Sequence, residues 1–279
     1  MAAWALLALG TLVAAVIGSL SHHLRTLSPA SRGTAAPLAK RLAQRRRAHE
    51  HQLERIEINR VLGYTAYISQ GTPNRREVAL TFDDGPGPFT SQLVRALVSQ
   101  RAPATFFVVG EQVRTFHSGL QDVLDAGFPV GDHTYTHPTM SQLSAADQAR
   151  QLDRQVKAIA PYGAGRPTLF RPPYGSFDRS TLAALKRRAM LMVLWTIDSE
   201  DYLQPGVKAI VHNVLSGVRP GAIVLMHDAG GNRAQTIRAL PAIVRGLRRR
   251  GYRLVTVPRL VMDDPPPPNQ PLPEKLTGG

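Results

Sequence analysis

Between Glu77 and Val257, seven short apolar runs alternate with longer amphipathic stretches, and no other feature narrows the possible folds of this chain so far. The runs are Val78 to Phe82, Thr105 to Val109, Phe128 to Asp132, Thr168 to Arg171, Leu191 to Ile197, Ala222 to Met226 and Arg253 to Val257. Their lengths suit strands. Helical periodicity fits the stretches between them, for instance Ser91 to Ser99, Ala145 to Ile159, Arg179 to Arg188, Val207 to Leu215 and Arg233 to Arg250. Strands that alternate with helices build an α/β fold with a parallel sheet wrapped by helices. In such folds the C-terminal ends of the strands converge on one face, and residues far apart in sequence meet there.

The flanks read differently. Ala2 through Leu20 carries no charge and is almost entirely Ala, Leu, Val, Ile and Gly, about the length that crosses a bilayer. Residues 1–21 are therefore expected to form a transmembrane anchor or a signal peptide, the anchor being favoured because the stretch lacks a basic start and a crisp cleavage site. Residues 22–75 read as a linker followed by a basic helical stalk, residues 76–262 as the main folded domain, and residues 263–279, with Pro265 to Pro268, as a disordered Pro-rich tail. Arg25, Arg32, Lys40 and Arg41 follow the apolar segment, which by the positive-inside rule holds the domain in the cytoplasm. The substrate class argued below points the other way.

Composition removes some chemistries. The 279 residues include no cysteine, so disulfides, thiolate metal sites and cysteine nucleophiles are excluded, and a metal must be held by His, Asp, Glu or water. A net charge of +14 suits nucleic acid, an anionic membrane or an anionic wall. Much of it lies outside the motif region, in Arg45 to Arg47 and Arg248 to Arg250, with no interleaved aromatics to stack bases. No nucleic-acid partner is expected.

Polar clusters follow most of the strands. Asp83-Asp84 leave the first run, and adjacent carboxylates there project differently, so that one can bind a metal while the other takes a proton. His133 and His137 follow the third run, four residues apart and able to share one side of a turn. Each pattern alone is as readily a solvated turn or a coincidental pair. Together, two imidazoles and one carboxylate leave coordination positions open, as a catalytic metal requires.

Four phrases in order, Thr81-Phe82-Asp83-Asp84-Gly85-Pro86, His133-Thr134-Tyr135-Thr136-His137-Pro138, Arg171-Pro172-Pro173-Tyr174-Gly175 and Leu225-Met226-His227-Asp228, resemble the successive motifs of the polysaccharide deacetylase family, the NodB-homology or carbohydrate esterase family 4 proteins. The resemblance covers residues 76 to 260 and implies a distorted seven-stranded (β/α) barrel, preceded here by the N-terminal membrane-spanning helix. It implies that Asp84, His133 and His137 hold a divalent metal, zinc by donor type with cobalt, nickel or iron also fitting. It makes Asp83 the base acting on water, Arg171 the partner that orients Asp83, the Tyr174 N–H an oxyanion donor and His227 the acid that protonates the leaving amine. Asp201, in Asp198-Ser199-Glu200-Asp201-Tyr202, would orient His227, and Leu225 would line the acetyl-methyl pocket. Tyr202 stands where the family usually has tryptophan, a change in the groove wall. Trp195 and the histidines outside these phrases read as core and surface.

The implied activity is hydrolytic N-deacetylation of N-acetylglucosamine-type residues in a polysaccharide, with peptidoglycan or another envelope glycan favoured for a basic chain facing an anionic wall. That reading places the domain outside the cytoplasm, membrane-anchored or secreted after cleavage. The alternatives are an O-acetyl esterase acting on acetylated xylan and a silent glycan-binding module. The second has no need of both acids and three histidines.

Overall fold

The computed structural model describes residues 49–270 and 272. The chain divides into two compact units, Met1–Leu53 and Glu54–Gly279. The described residues of the first, 49–53, are helical. The expected membrane segment, most of the linker and the last residues of the tail lie outside the described residues, among which no helix is long and apolar enough to cross a membrane.

The second unit is built around one parallel sheet. Its strands are β1 (Tyr67–Ile68), β2 (Glu77–Asp83), β3 (Thr105–Val108), β4 (Val130–Asp132), β5 (Leu169–Phe170), β6 (Leu191–Val193), β7 (Ile197–Asp198), β8 (Ala222–His227) and β9 (Arg253–Val255). Its helices are α1 (residues 54–62), α2 (Thr90–Ser99), α3 (His117–Asp125), α4 (Ala145–Ile159), α5 (Arg179–Arg188), α6 (Val207–Gly217), α7 (Ala234–Arg249) and α8 (Val257–Asp263). Strand order is β1-β6-β5-β4-β3-β2-β8-β7, with β9 added beside the start of β2.

Nine strands replace the expected seven. The run Leu191 to Ile197 is two strands: Leu194 N–H bonds to Ile68 O, whereas two residues later Thr196 N–H bonds to Ile223 O. The backbone changes partners in mid-run and steps from one end of the sheet to the other. Because both partners are buried, the run stays apolar and hides the break. β1, the other addition, is only two residues long. The described ladder is thus a half-barrel with two ends, bridged by this crossing and by one antiparallel contact of Gln70 with Ala222.

Side-chain parity sorts the sheet into two faces. Val78, Leu80 and Phe82 of β2, with Ala222, Val224 and Met226 of β8, pack in one core with the apolar stripes of α2, α6 and α7. The alternate residues Ala79, Thr81, Asp83, Ile223, Leu225 and His227 face inward. Two helix starts follow from side-chain caps: Ser144 accepts from Asp147 N–H ahead of α4, and Asp178 accepts from Thr181 N–H in a capping box ahead of α5.

The expected stalk and tail need correction where they are described. α1 buries Ile58 and Val61, spaced one helical turn apart, in the inner core with Ile68 and Phe107. The ordered unit therefore begins near residue 54. At the other end, residue 263 closes α8, and the segment after it is held down. Tyr64 Oη donates to Pro266 O at 2.8 Å, Tyr67 Oη donates to Gln270 O at 2.8 Å, and the buried Gln270 Oε1 accepts from Ser69 N–H and Gln70 N–H. Proline carries no N–H to leave unpaired, so a Pro-rich strap can lie on a protein surface at low cost.

Candidate metal centre and its flanking acid and base

Asp83 and His227 are Cα partners at the C-terminal ends of β2 and β8. Adjacent strands and equal parity put both side chains on the inner face, one strand spacing apart. Asp84 begins the turn after β2 with φ 73°, so its carboxylate leaves in another direction from that of Asp83. His133 and His137 lie in the turn after β4, His137 also at positive φ. Thr134, Tyr174, Glu200 and Gln204 share that backbone region. Non-glycine residues at positive φ persist only where surrounding contacts enforce them, and apart from Arg101 and Ala189 they lie on the loops around this site.

One ligand atom from each of Asp84, His133 and His137 lies within 4.8 Å of the others. His137 Nε2 is 3.1 Å and His133 Nε2 3.5 Å from Asp84 Oδ1. The far side of the His133 ring fixes its tautomer: Nδ1 is 2.6 Å from the Arg171 carbonyl, which can only accept, so Nδ1 carries the proton and the Nε2 lone pair faces Asp84. His137 Nδ1 is 3.2 Å from Tyr174 Oη, and the Tyr174 ring stands edge-on to it at 4.7 Å. Two neutral imidazole nitrogens and a carboxylate oxygen, converging with coordination positions to spare, fit a divalent metal.

On one flank, Arg171 is fully buried. Its Nη1 donates to Asp83 Oδ1 at 2.8 Å and to Thr81 Oγ1 at 2.7 Å, its Nε to Val193 O and its Nη2 to Leu194 O, while the guanidinium lies 4.2 Å from the centre of the Phe107 ring. The pairing occupies Oδ1 of Asp83. Oδ2 is left 3.9 Å from His133 Nε2, on the metal side.

On the other flank, His227 Nδ1–H donates to Asp201 Oδ1 at 2.7 Å. Asp201 Oδ2 accepts from His227 N–H at 3.0 Å and from Thr236 Oγ1–H at 2.7 Å. Burial alone pushes the His227 ring toward neutrality, but the charge and hydrogen bond of Asp201, with Asp84 and Asp83 behind them, push its pKa up to about 9. Tyr202 stands edge-on to this ring, centroids 5.4 Å apart. Leu225 is buried beside Leu194 and Trp195, and Trp195 lies in the core as its sequence context suggests.

Two participants are given no role by the sequence, Asp228 at the end of the last motif and Thr90 outside all of them. The buried Asp228 accepts a hydrogen bond from Thr90 Oγ1–H, and Thr90 Oγ1 accepts from Gly87 N–H at 2.7 Å. The same carboxylate packs on Gly85, where an added Cβ would lie 2.1 Å from Asp228 Oδ2. The turn carrying Asp84 is thereby clamped from the β8 side. Burial raises the Asp228 pKa to about 7, the Thr90 hydrogen bond opposing it. Thr90 reads in sequence only as the first residue of a helix.

A cluster that can hold a cation, with a proton acceptor and a proton donor anchored separately on either side, is the equipment of a metal-dependent hydrolase, and fold and site together place the chain in that class. Residues 70–193 match the family model described as polysaccharide deacetylase. A chitooligosaccharide deacetylase of Bradyrhizobium sp. is 36% identical over 200 residues, 66% of this chain and 90% of its relative. A crystal structure of a peptidoglycan N-acetylglucosamine deacetylase superposes with a TM-score of 0.68 at 31% identity, over 70% of this chain and 92% of that one. The chain belongs to the polysaccharide deacetylase family. A pseudoenzyme of carbohydrate esterase family 4 from Bacillus anthracis is also similar, with a TM-score of 0.66 at 30% identity over 70% of this chain and 69% of that one. The fold therefore does not by itself separate an active member from a silent one, and the side chains must.

Proposed function

We propose that the chain hydrolyses the N-acetyl group of N-acetylglucosamine residues in a glycan, releasing acetate and a free amine. The observation that carries this reading is that both flanks of the metal cluster are complete: Asp83 is fixed by Arg171 and His227 by Asp201. A metal bound by Asp84, His133 and His137 supplies a positive charge that acidifies water and polarises the acyl carbonyl. Zinc suits the donor set. Asp83 Oδ2, on the metal side, takes the proton of the attacking water. The Tyr174 N–H serves as a donor to the developing oxyanion. His227, protonated at neutral pH, delivers its Nε2 proton to the departing nitrogen, without which an amine leaves poorly. A buried acid pinned in this way favours an amide over an ester substrate, because an alkoxide leaves with less help. Leu225, buried beside Leu194 and Trp195, fits the acetyl-methyl contact as part of the wall.

Peptidoglycan or a related envelope glycan is the preferred polymer, supported by the chitooligosaccharide and peptidoglycan activities named for similar proteins and by the strongly basic chain. The apolar first twenty residues support a domain outside the cytoplasm, anchored or released. The test is mass analysis of N-acetylglucosamine oligomers, muropeptides and acetylated xylan after incubation with the protein, with and without chelator. Loss of one acetyl mass from the amino sugars, abolished by chelator and by Asp83→Asn, is expected. Release from xylan alone, or release that Asp83→Asn leaves untouched, refutes the assignment.

A further inference from the structure

A second concave feature lies at the opposite end of the sheet from the metal. Metal ligands follow strand C-termini, whereas Arg166, Thr168, Ala189 and Met190 precede β5 and β6. There α1 and the C-terminal part of α5 enclose two adjoining hollows. One, of about 170 Å³, is walled by Leu62, Ala66, Leu182, Ala183, Leu185 and Met190, with Lys186 also lining it. The other is lined by Arg55, Asn59, Arg166, Thr168 and Arg188. They share their walls: Ala189 of the second precedes Met190 of the first, and Asn59 lies one helical turn before Leu62.

Three arginines line the second hollow, with Asp153 as the carboxylate that offsets Arg188 and Arg166. Arg188 is fixed by Asp153 through two hydrogen bonds of 2.9 and 2.8 Å and by the Ala184 carbonyl at 3.0 Å. Arg55 and Arg166 have no ion-pair or hydrogen-bond partner among the described residues. The basic half thus keeps a net positive charge, with the Asn59 amide and the Thr168 hydroxyl as further donors, while its neighbour is apolar. Guanidinium forks match phosphate oxygens, and an apolar hollow with few polar groups holds hydrocarbon better than water.

We propose that this seam binds one anionic phospholipid, its phosphate between Arg55, Arg166 and Arg188 and the first carbons of an acyl chain in the hollow beside Leu62 and Met190. A lipid held at the strand N-termini leaves the strand C-termini, and with them the metal face, turned away from it. The net positive charge of the basic half selects a negatively charged headgroup over a zwitterionic one. None of these residues belongs to the metal site, so the inference does not depend on the reaction catalysed there.

Calorimetric titration of the full chain with monomeric dihexanoyl phosphatidylglycerol, dihexanoyl phosphatidylcholine and inorganic phosphate tests it. The phosphatidylglycerol is expected to bind at least tenfold tighter than either of the others. Arg55→Gln with Arg166→Gln removes the headgroup site, and Ala183→Phe fills the apolar hollow. Each is expected to weaken phosphatidylglycerol at least tenfold while acetate release from soluble oligomers, the check on folding, stays at the wild-type rate. Equal binding of the two lipids, phosphate binding as tight as phosphatidylglycerol, or binding indifferent to Ala183→Phe overturns the proposal.

Discussion

Replacing Asp201 by Asn separates the acid flank of the site from everything else. The rise of the His227 pKa from 6.5 to about 9 corresponds to about 3 kcal/mol of preference for the protonated ring, and Asp201 is its chief source. Asparagine cannot replace it. Asp201 accepts from three donors, His227 Nδ1–H, His227 N–H and Thr236 Oγ1–H, so either orientation of an amide sets its NH2 against at least one of them. The ring's pKa then falls back toward the free imidazole range, because burial continues to disfavour its charge and only Asp84 and Asp83 still favour it. Activity requires the protonated ring, so the alkaline limb of the kcat profile should fall by about two pH units or more. At one pH unit below the wild-type limb, a fall of about 2.5 units makes the variant slower by about 30-fold from protonation alone. A metal at Asp84 moves both profiles to lower pH together, and the displacement between them is the predicted quantity. Loss of ring orientation adds a pH-independent factor, visible as a lower plateau on the acid side. The same pair bears on stability: with its folded pKa raised, His227 contributes fully below pH 6.5 and loses that contribution as pH rises through about 9. Coincident alkaline limbs in wild type and Asp201→Asn, measured on a soluble N-acetylglucosamine oligomer, would refute this account of the acid.

Four further outcomes follow from the same geometry. Arg171→Met leaves Asp83 buried without its ion-pair partner and should cost about 3–5 kcal/mol in urea unfolding, with acetate release lost. Gly85→Ala drives a methyl into the Asp228 carboxylate, and metal titration should show affinity weakened at least tenfold, with a stability loss of about 1–3 kcal/mol. His133→Ala or exhaustive chelation should abolish both stoichiometric metal by elemental analysis and acetate release, and metal re-addition should rescue only the chelated wild type. Deleting residues 265–279 strips the hydrogen-bond partners of Tyr64, Tyr67, Ser69 and Gln70 and should lower unfolding free energy by about 1–3 kcal/mol while the rate on soluble oligomers is kept.

What could be read from the sequence was whatever has a local pattern. α4 carries strong 3.6-residue periodicity, and both α4 and α5 have side-chain caps at their starts, so their bounds follow the sequence pattern. β2 and β8 are long apolar runs with abrupt polar ends, so the turn bearing Asp84 and the strand end bearing His227 were legible too. What escaped depends on non-local partners. α1 offers Ile58, Val61 and the partly buried Leu62 to the core amid charged residues, and that stripe becomes meaningful only beside Ile68 and Phe107. The break in Leu191 to Ile197 is a change of hydrogen-bond partner with no change of side-chain character. Thr90 acquires its place through Asp228, 138 residues away.

The two flanks also explain why neighbouring groups on one inner face can serve opposite ends of a reaction. Asp83 and His227 sit in register on adjacent strands, on the same inner face. Each is committed by a buried partner of opposite charge reached from a different part of the sheet: Arg171 from the end of β5, Asp201 from the turn after β7. Arg171 holds Oδ1 of Asp83 and leaves Oδ2 on the metal side, and Asp201 holds Nδ1 of His227 and leaves Nε2 to face outward chemistry. Because the two partners share no contact, Arg171→Met and Asp201→Asn should act on different quantities: the first on fold stability and the base, the second on the alkaline limb. Their double variant should show additive stability losses, whereas the rate loss, once either flank is gone, should fall well short of the product of the single effects, since base and acid serve one turnover.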